Sequence, residues 1–298
     1  MQFEWKGVFP ALTTKFTGTD ALDLPLFEKN LQFQIQSGIH GIILGGTLGE
    51  ASVLSTSEKE TLVKFAIEKT GGKIPVVINI AEGSTKEALQ QAALAKKWGA
   101  DGLMLLPAMR YKTDHRETVE YFKTIAASTD LPIMIYNNPV DYKTDVTPDM
   151  FADLVDSKNI TAIKESTRDV TNVTRLINRF GGRYKILCGV DTLAMEELCL
   201  GADGWVAGLV CAFPKETVTI YNLVKAGKIE AATKIYRWFM PLLELDIHSK
   251  LVQYIKLAET QAGIGSENVR PPRLTLIGEE RERILKIIND GIAARPQL

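Results

Sequence analysis

Lys164 closes the apolar run ITAIK at 160–164, and Tyr136 closes another, PIMIY at 132–136. A lysine carried on an apolar strand into a dry cleft has its ammonium form disfavoured, so its pKa falls and free amine becomes available. A neutral amine attacks a carbonyl or imine carbon and forms a Schiff base. A phenol at the end of a neighbouring strand can carry protons to and from the carbinolamine. Both residues also have plainer roles open to them. Lys164 can pair with Glu165 or extend to water, and Tyr136 can be a core aromatic with its hydroxyl satisfied. The third feature is the glycine-rich GGTLGE at 45–50. Its backbone N–H groups can cradle a carboxylate, because glycine permits close backbone approach; an ordinary tight loop has the same composition.

These residues need elements to hold them. Short apolar runs at 7–12, 41–44, 75–80, 102–106, 132–136, 160–164, 185–188 and 204–208 alternate with longer amphipathic stretches. Short runs rich in Val and Ile suit strands buried on both faces of a parallel sheet. Ser57 with Glu60 reads as a capping box before TLVKFAIEK, Ser84 with Glu87 opens EALQQAALAKKWG, and Thr147-Pro148 opens PDMFADLV. Gly99 and Gly201 fit helix C-caps. Eight strand–helix units allow a closed (β/α)8 barrel or an open doubly wound sheet. Regular spacing and the lack of an obvious edge strand favour the α/β barrel, the TIM-barrel architecture. No GxGxxG or GxxxxGK turn supports a nucleotide-binding sheet. The chain divides as a barrel over 1–225 and a C-terminal helical extension over 226–298 packed on it. In that extension 228–263 and 277–294 read as helices joined by VRPPRL, and GEERERILK reads as a solvated helix face.

The active site of such a barrel lies at the C-terminal ends of its strands. There the sequence places GGTLGE, Ala81-Glu82, Pro107-Ala108-Met109-Arg110-Tyr111, Tyr136-Asn137-Asn138-Pro139, Lys164-Glu165-Ser166, Gly189-Val190-Asp191 and Gly208-Leu209-Val210.

Composition narrows the function. The 298 residues are 45% hydrophobic and 24% charged, which is globular. Thirty-five basic and 36 acidic residues are well mixed, so nucleic acid and anionic membrane are not expected partners. No apolar run reaches the roughly 18–20 residues that span a bilayer. MQFEWKGVFPAL lacks the pattern of a signal peptide, and the cytoplasm is the expected location. Cys188, Cys199 and Cys211 are odd in number and without CxxC spacing, so they are expected to be buried small hydrophobes. His40, His115 and His248 are scattered, and no metal is expected.

The ordered set GGTLGE, YNNP, IKES and CGVD resembles the dihydrodipicolinate synthase / N-acetylneuraminate lyase family of class I aldolases and lyases, over nearly the whole chain. The resemblance implies a (β/α)8 barrel with C-terminal helices, commonly assembled as a homotetramer. It implies Lys164 as the Schiff-base residue, Tyr136 as the proton-transfer residue and Thr47 as a relay hydroxyl linked to it. No metal or organic cofactor is implied, since the lysine imine is itself the electron sink. Gly46, Leu48, Glu82, Met109, Asn138, Gly189 and Leu209 are the expected substrate-binding positions.

Three departures bear on substrate. Leu48 stands where the family pattern often has a second hydroxyl residue. Met109 stands where the synthases carry a tyrosine, with Tyr111 two further on. Val140-Asp141-Tyr142-Lys143 lacks the synthases' arginine after the YN-x-P motif. A site built for a charged group loses heavily when the partner is missing. LPAMRYK, YNNP and the C-terminal KLVQYIKLAE with GSENVRPPRL resemble a subgroup associated with hydroxyproline breakdown. The activity this implies is 1-pyrroline-4-hydroxy-2-carboxylate deaminase, giving 2-oxoglutarate semialdehyde and ammonia. Three alternatives stand beside it: a 2-keto-3-deoxy sugar acid dehydratase or aldolase, dihydrodipicolinate synthase, and a barrel that binds a keto acid without catalysis.

Overall fold

The structure is a computed structural model and describes residues 3–108 and 111–298. The eight apolar runs form eight strands: β1 Gly7–Pro10, β2 Ile42–Leu44, β3 Val76–Ile80, β4 Gly102–Leu105, β5 Ile133–Asn137, β6 Ile160–Glu165, β7 Lys185–Cys188 and β8 Gly204–Ala207. All pair in parallel, in the order β1-β8-β7-β6-β5-β4-β3-β2. The ring closes between β1 and β2, where Ala11 bridges Ile43 and the Leu12 N–H donates to the Ile43 carbonyl at 3.0 Å. This is a (β/α)8 barrel with helices outside and C-terminal helices beyond.

The strands form where Val, Ile and Leu run between Gly or Pro boundaries. Nearly every strand residue is buried, as a sheet with a filled interior and a helical coat requires. Ser84 caps its helix through the Glu87 N–H at 3.2 Å, and Thr147 caps the helix that opens with Pro148. One expected cap moves. STSEKE holds two overlapping S-x-x-E pairs, and the helix Thr56–Thr70 starts from Ser55 with Glu58, not from Ser57 with Glu60. The choice follows from a distant residue, because Arg270 grips the Glu58 carboxylate at 2.7 and 3.0 Å. Cys188 and Cys211 are buried, but Cys199 is exposed at the end of a short helix. Among the described residues no helix is long and apolar enough to cross a membrane.

The C-terminal extension departs from one continuous helix over 228–263. It forms Ile229–Leu243, a 3-10 turn Glu244–Ile247, and then Leu251–Gln261. Pro241 lies just before the break, and His248 is extended. Proline weakens the turn that precedes it, and D-I-H-S offers poor helix formers to rebuild it. The break carries the chain over the mouth of the barrel.

The second half of the extension holds the glycine-rich turn from below. Lys256, fully buried, donates to Glu50 at 2.5 Å and to the Asn268 carbonyl at 2.6 Å. The Arg270 N–H reaches the other Glu50 oxygen at 3.1 Å. Glu50 itself has a left-handed φ of 54°, so its partners stabilise a conformation that most residues avoid. Removing one member of a buried ion pair strands the other in a dry site. Lys256→Met is therefore expected to cost ~3–5 kcal/mol in urea unfolding, while adding Glu50→Gln recovers most of that loss. Additive losses in the double variant would show that the two side chains do not stabilise each other.

Candidate active site

Lys164 and Tyr136 are register partners on β6 and β5, so their side chains leave the sheet on the same side. That side is the barrel interior at its C-terminal mouth. Glu165 and Asn137, the next pair along, face outward. Glu165 accepts from the Thr167 N–H at 2.7 Å and from Asn172 at 2.8 Å. Asn137 exchanges two hydrogen bonds with the Val146 backbone and pins the following loop. Strand alternation thus removes one role open to the lysine: Glu165 is on the wrong face to pair with it.

Lys164 is 6% exposed and Tyr136 8%. The lysine nitrogen sits 3.9 Å from the centroid of the Tyr136 ring, over its face. Among the described residues it has no carboxylate within ion-pairing distance. Burial pulls its pKa below the ordinary value of 10.5, while Tyr142, Asp246, Asp191 and Cys188 pull the other way. Burial pushes the Tyr136 phenol up to about 12, so it stays protonated. Its oxygen accepts from Asn138 at 3.0 Å.

Space for the lysine is made by Gly189 at the end of β7. A β-carbon there would lie 2.6 Å from the Lys164 Cε and 2.1 Å from the Ser166 hydroxyl. Two residues on, Asp191 is fully buried and accepts from the Trp205 indole at 2.9 Å, the Gly208 N–H and the Leu209 N–H. It ties the β7 and β8 ends together.

The cavity above Lys164 has a volume of about 900 Å³, ample for a small organic acid. Gly46, Thr47, Leu48, Glu82, Asn138 and Gly189 line it together with Lys164 and Tyr136. Met109 lies outside the described residues. Leu209 does not line the cavity: it is completely buried in the core, and its N–H is taken by Asp191. Gly208 stands in the wall instead.

The relay expected from Thr47 to Tyr136 takes a different form. The Thr47 hydroxyl bonds the Tyr142 hydroxyl at 2.6 Å, and the Tyr142 ring stands edge-on to Tyr136 at 5.6 Å. The one-turn helix Pro139–Tyr142, capped by Asn138, folds Tyr142 back over the mouth. Wall residues that the sequence does not mark include Asp141, which accepts from Asn138 at 2.7 Å, Arg168 at the rim, and Asp246 from the break in the extension. Tyr142 and Asp141 lay within a segment read only for its missing arginine. Asp246 was hidden inside a stretch read as helix, and the signal that would have exposed it is Pro241 followed by D-I-H-S. Among the described residues no three His, Cys, Asp or Glu side chains converge as metal ligands.

Known proteins resemble this chain in sequence and in fold. The model of the Dihydrodipicolinate synthetase family matches residues 4–290. A 4-hydroxy-tetrahydrodipicolinate synthase of Exiguobacterium sibiricum is 31% identical over 273 residues, covering 92% of each chain. An uncharacterized DapA-like lyase of Rhizobium meliloti is 30% identical and covers 96% of this chain and 97% of its own. Among solved structures, the chloride-inhibited dihydrodipicolinate synthase of Acinetobacter baumannii complexed with pyruvate superposes with a TM-score of 0.92. That pair is 27% identical and covers 97% of this chain and 99% of the other.

A lowered lysine pKa has a kinetic consequence. The neutral fraction of Lys164 grows as pH rises and saturates above its own pKa, below the ordinary 10.5. Single-turnover imine formation with pyruvate should therefore climb with pH and level off below that value. A limb centred at or above 10.5 would mean that burial does not activate the amine.

Proposed function

The chain belongs to the Dihydrodipicolinate synthetase family, whose members work through a lysine Schiff base, and from that membership we propose that it is a 1-pyrroline-4-hydroxy-2-carboxylate deaminase of hydroxyproline degradation. The observation that carries the reading is the set of carboxyl side chains in the cavity wall. Glu82, Asp141 and Asp246 all line it. Of the cations there besides Lys164, Lys59 is matched by Glu82 at 3.4 Å, Arg273 lies 3.9 Å from Glu50, and Arg168 stands at the rim. Asp141 and Asp246 offer hydrogen bonds to a far end that carries a hydroxyl and an amine.

The chemistry follows from the residues. The substrate carboxylate binds at the Thr47 and Leu48 N–H groups, which have no acceptor among the described residues. Lys164 attacks C2 of the ring, and the C2–N bond breaks in favour of a lysine imine. Tyr136 supplies the proton that the departing ring nitrogen needs, then takes one from C3 to give the enamine. The enamine pair expels the 4-hydroxyl as water and leaves a conjugated iminium. Proton transfer from C5 converts this into an imine at C5. One water hydrolyses that imine to aldehyde and ammonia, and a second releases the 2-oxo acid from Lys164. One water leaves and two enter, so the net reaction consumes one.

Dihydrodipicolinate synthase is the second reading. It has the names of the relatives in its favour, and Arg168 at the rim offers a carboxylate partner that the segment after YNNP lacks. The test is a substrate panel on purified protein: freshly made 1-pyrroline-4-hydroxy-2-carboxylate, a series of 2-keto-3-deoxy sugar acids, and pyruvate with aspartate semialdehyde. Ammonia and dioxo acid are expected from the pyrroline alone. Condensation of pyruvate with the semialdehyde, without ammonia release from the pyrroline, would replace the deaminase with the synthase.

A further inference from the structure

Asp246 enters the cavity from outside the barrel. It sits on the 3-10 turn Glu244–Ile247, beyond the eight strand–helix units, and its carboxyl lies directly over Gly208 at the end of β8. A β-carbon on Gly208 would be 2.1 Å from its Oδ1 and 2.7 Å from its Cγ. The close approach holds the carboxyl at a fixed place in the wall, with Leu48 packed beside it.

Three carboxyl side chains line the cavity, and their surroundings differ. Glu82 is paired with Lys59, and Asp141 accepts from Asn138. Among the described residues Asp246 has neither an ion-pair nor a hydrogen-bond partner, and nor does the Lys164 nitrogen within the same cavity. The two are close enough for each to bias the other's protonation, yet farther apart than an ion pair. Both line the cavity that a substrate joined to Lys164 would fill. Burial and the Asp191 charge hold the Asp246 carboxyl well above the usual carboxylate range, against the pull of Lys164. A neutral carboxyl is a proton donor.

We propose that Asp246 is the general acid that protonates the hydroxyl leaving from C4 of the lysine-bound enamine. The inference deepens the reading above and rests on its elimination step. The C2–C3 enamine pair moves toward C4, the C4–O bond breaks, and the oxygen takes the Asp246 proton and departs as water. The products are the Asp246 carboxylate and a conjugated lysine iminium, so charge and protons balance. Tyr136 is committed to the nitrogen and to C3, at the β5 side of the mouth. Asp246 serves the other side, at β8. The same acid would serve a 2-keto-3-deoxy sugar acid, whose hydroxyl leaves from the same carbon.

The test compares wild type with Asp246→Asn and Asp246→Ser on two leaving groups. One substrate carries the 4-hydroxyl, as the pyrroline or whichever sugar acid the wild type turns over. The other is a 4-chloro-2-oxo acid, whose chloride departs without a proton. Exchange of the C3 hydrogens of pyruvate into deuterium oxide reports imine and enamine formation. Compared at the plateau of each variant's own pH profile, exchange and chloride release should stay near wild type, while hydroxyl elimination falls ~10²–10⁴-fold. Hydroxyl elimination at the wild-type rate would overturn the proposal. So would equal losses on both leaving groups, or loss of exchange in both variants, since either makes Asp246 structural. If the wild type ignores the pyrroline but dehydrates a sugar acid, the deaminase reading fails and the Asp246 comparison proceeds on that acid. A wild type that exchanges C3 hydrogen and releases chloride, yet eliminates no hydroxyl, also overturns the role of Asp246.

Discussion

A primary amine attacks carbonyl carbon only when its proton is off, and water keeps that proton on. The barrel solves this by placing Lys164 at the inner face of β6, where almost no solvent reaches it and no carboxylate within ion-pairing distance among the described residues compensates its charge. Other features of the mouth follow from that choice. Gly189 leaves room for the lysine stem, Glu165 is turned to the outside, and the aromatic face of Tyr136 covers the nitrogen at 3.9 Å. A nearby ion pair would have restored the ammonium and silenced the amine. Asp246 and Asp191 are near enough to oppose the effect, but burial outweighs them.

The C-terminal extension is part of the site rather than an appendage. Its break delivers Asp246 to the mouth. Its next helix sends Lys256 under the glycine-rich turn, and Arg270 beyond it binds both Glu50 and Glu58. The glycine-rich turn is thus positioned by residues more than 200 positions away in sequence. Buried ion pairs add little net stability compared with apolar packing, but they are intolerant of misplacement, which suits a loop that must hold one geometry.

Much of this was legible in the sequence because its causes are local. Strand ends were readable from Gly and Pro flanking β-branched runs. Lys164 and Tyr136 stood out as polar side chains ending apolar strands, and parallel register then brings neighbouring strand ends together. What could not be read depends on contacts between distant segments. Ser55 rather than Ser57 caps its helix because Arg270 selects Glu58. Thr47 bonds Tyr142 rather than Tyr136 because a one-turn helix folds back over the mouth. Leu209 follows a strand end but is drawn into the core by the Asp191 bond to its N–H. Asp246 reads in sequence as one residue of a continuous helix, and the break around it shows in the fold.

The central claim is that Lys164, and no other of the lysines, carries the covalent intermediate. Reduction with borohydride in the presence of pyruvate, followed by digestion and mass spectrometry, tests it directly. One stable adduct is expected, on the peptide that contains Lys164, and none in Lys164→Ala. An adduct on another lysine, or no adduct at all on folded protein, would contradict it.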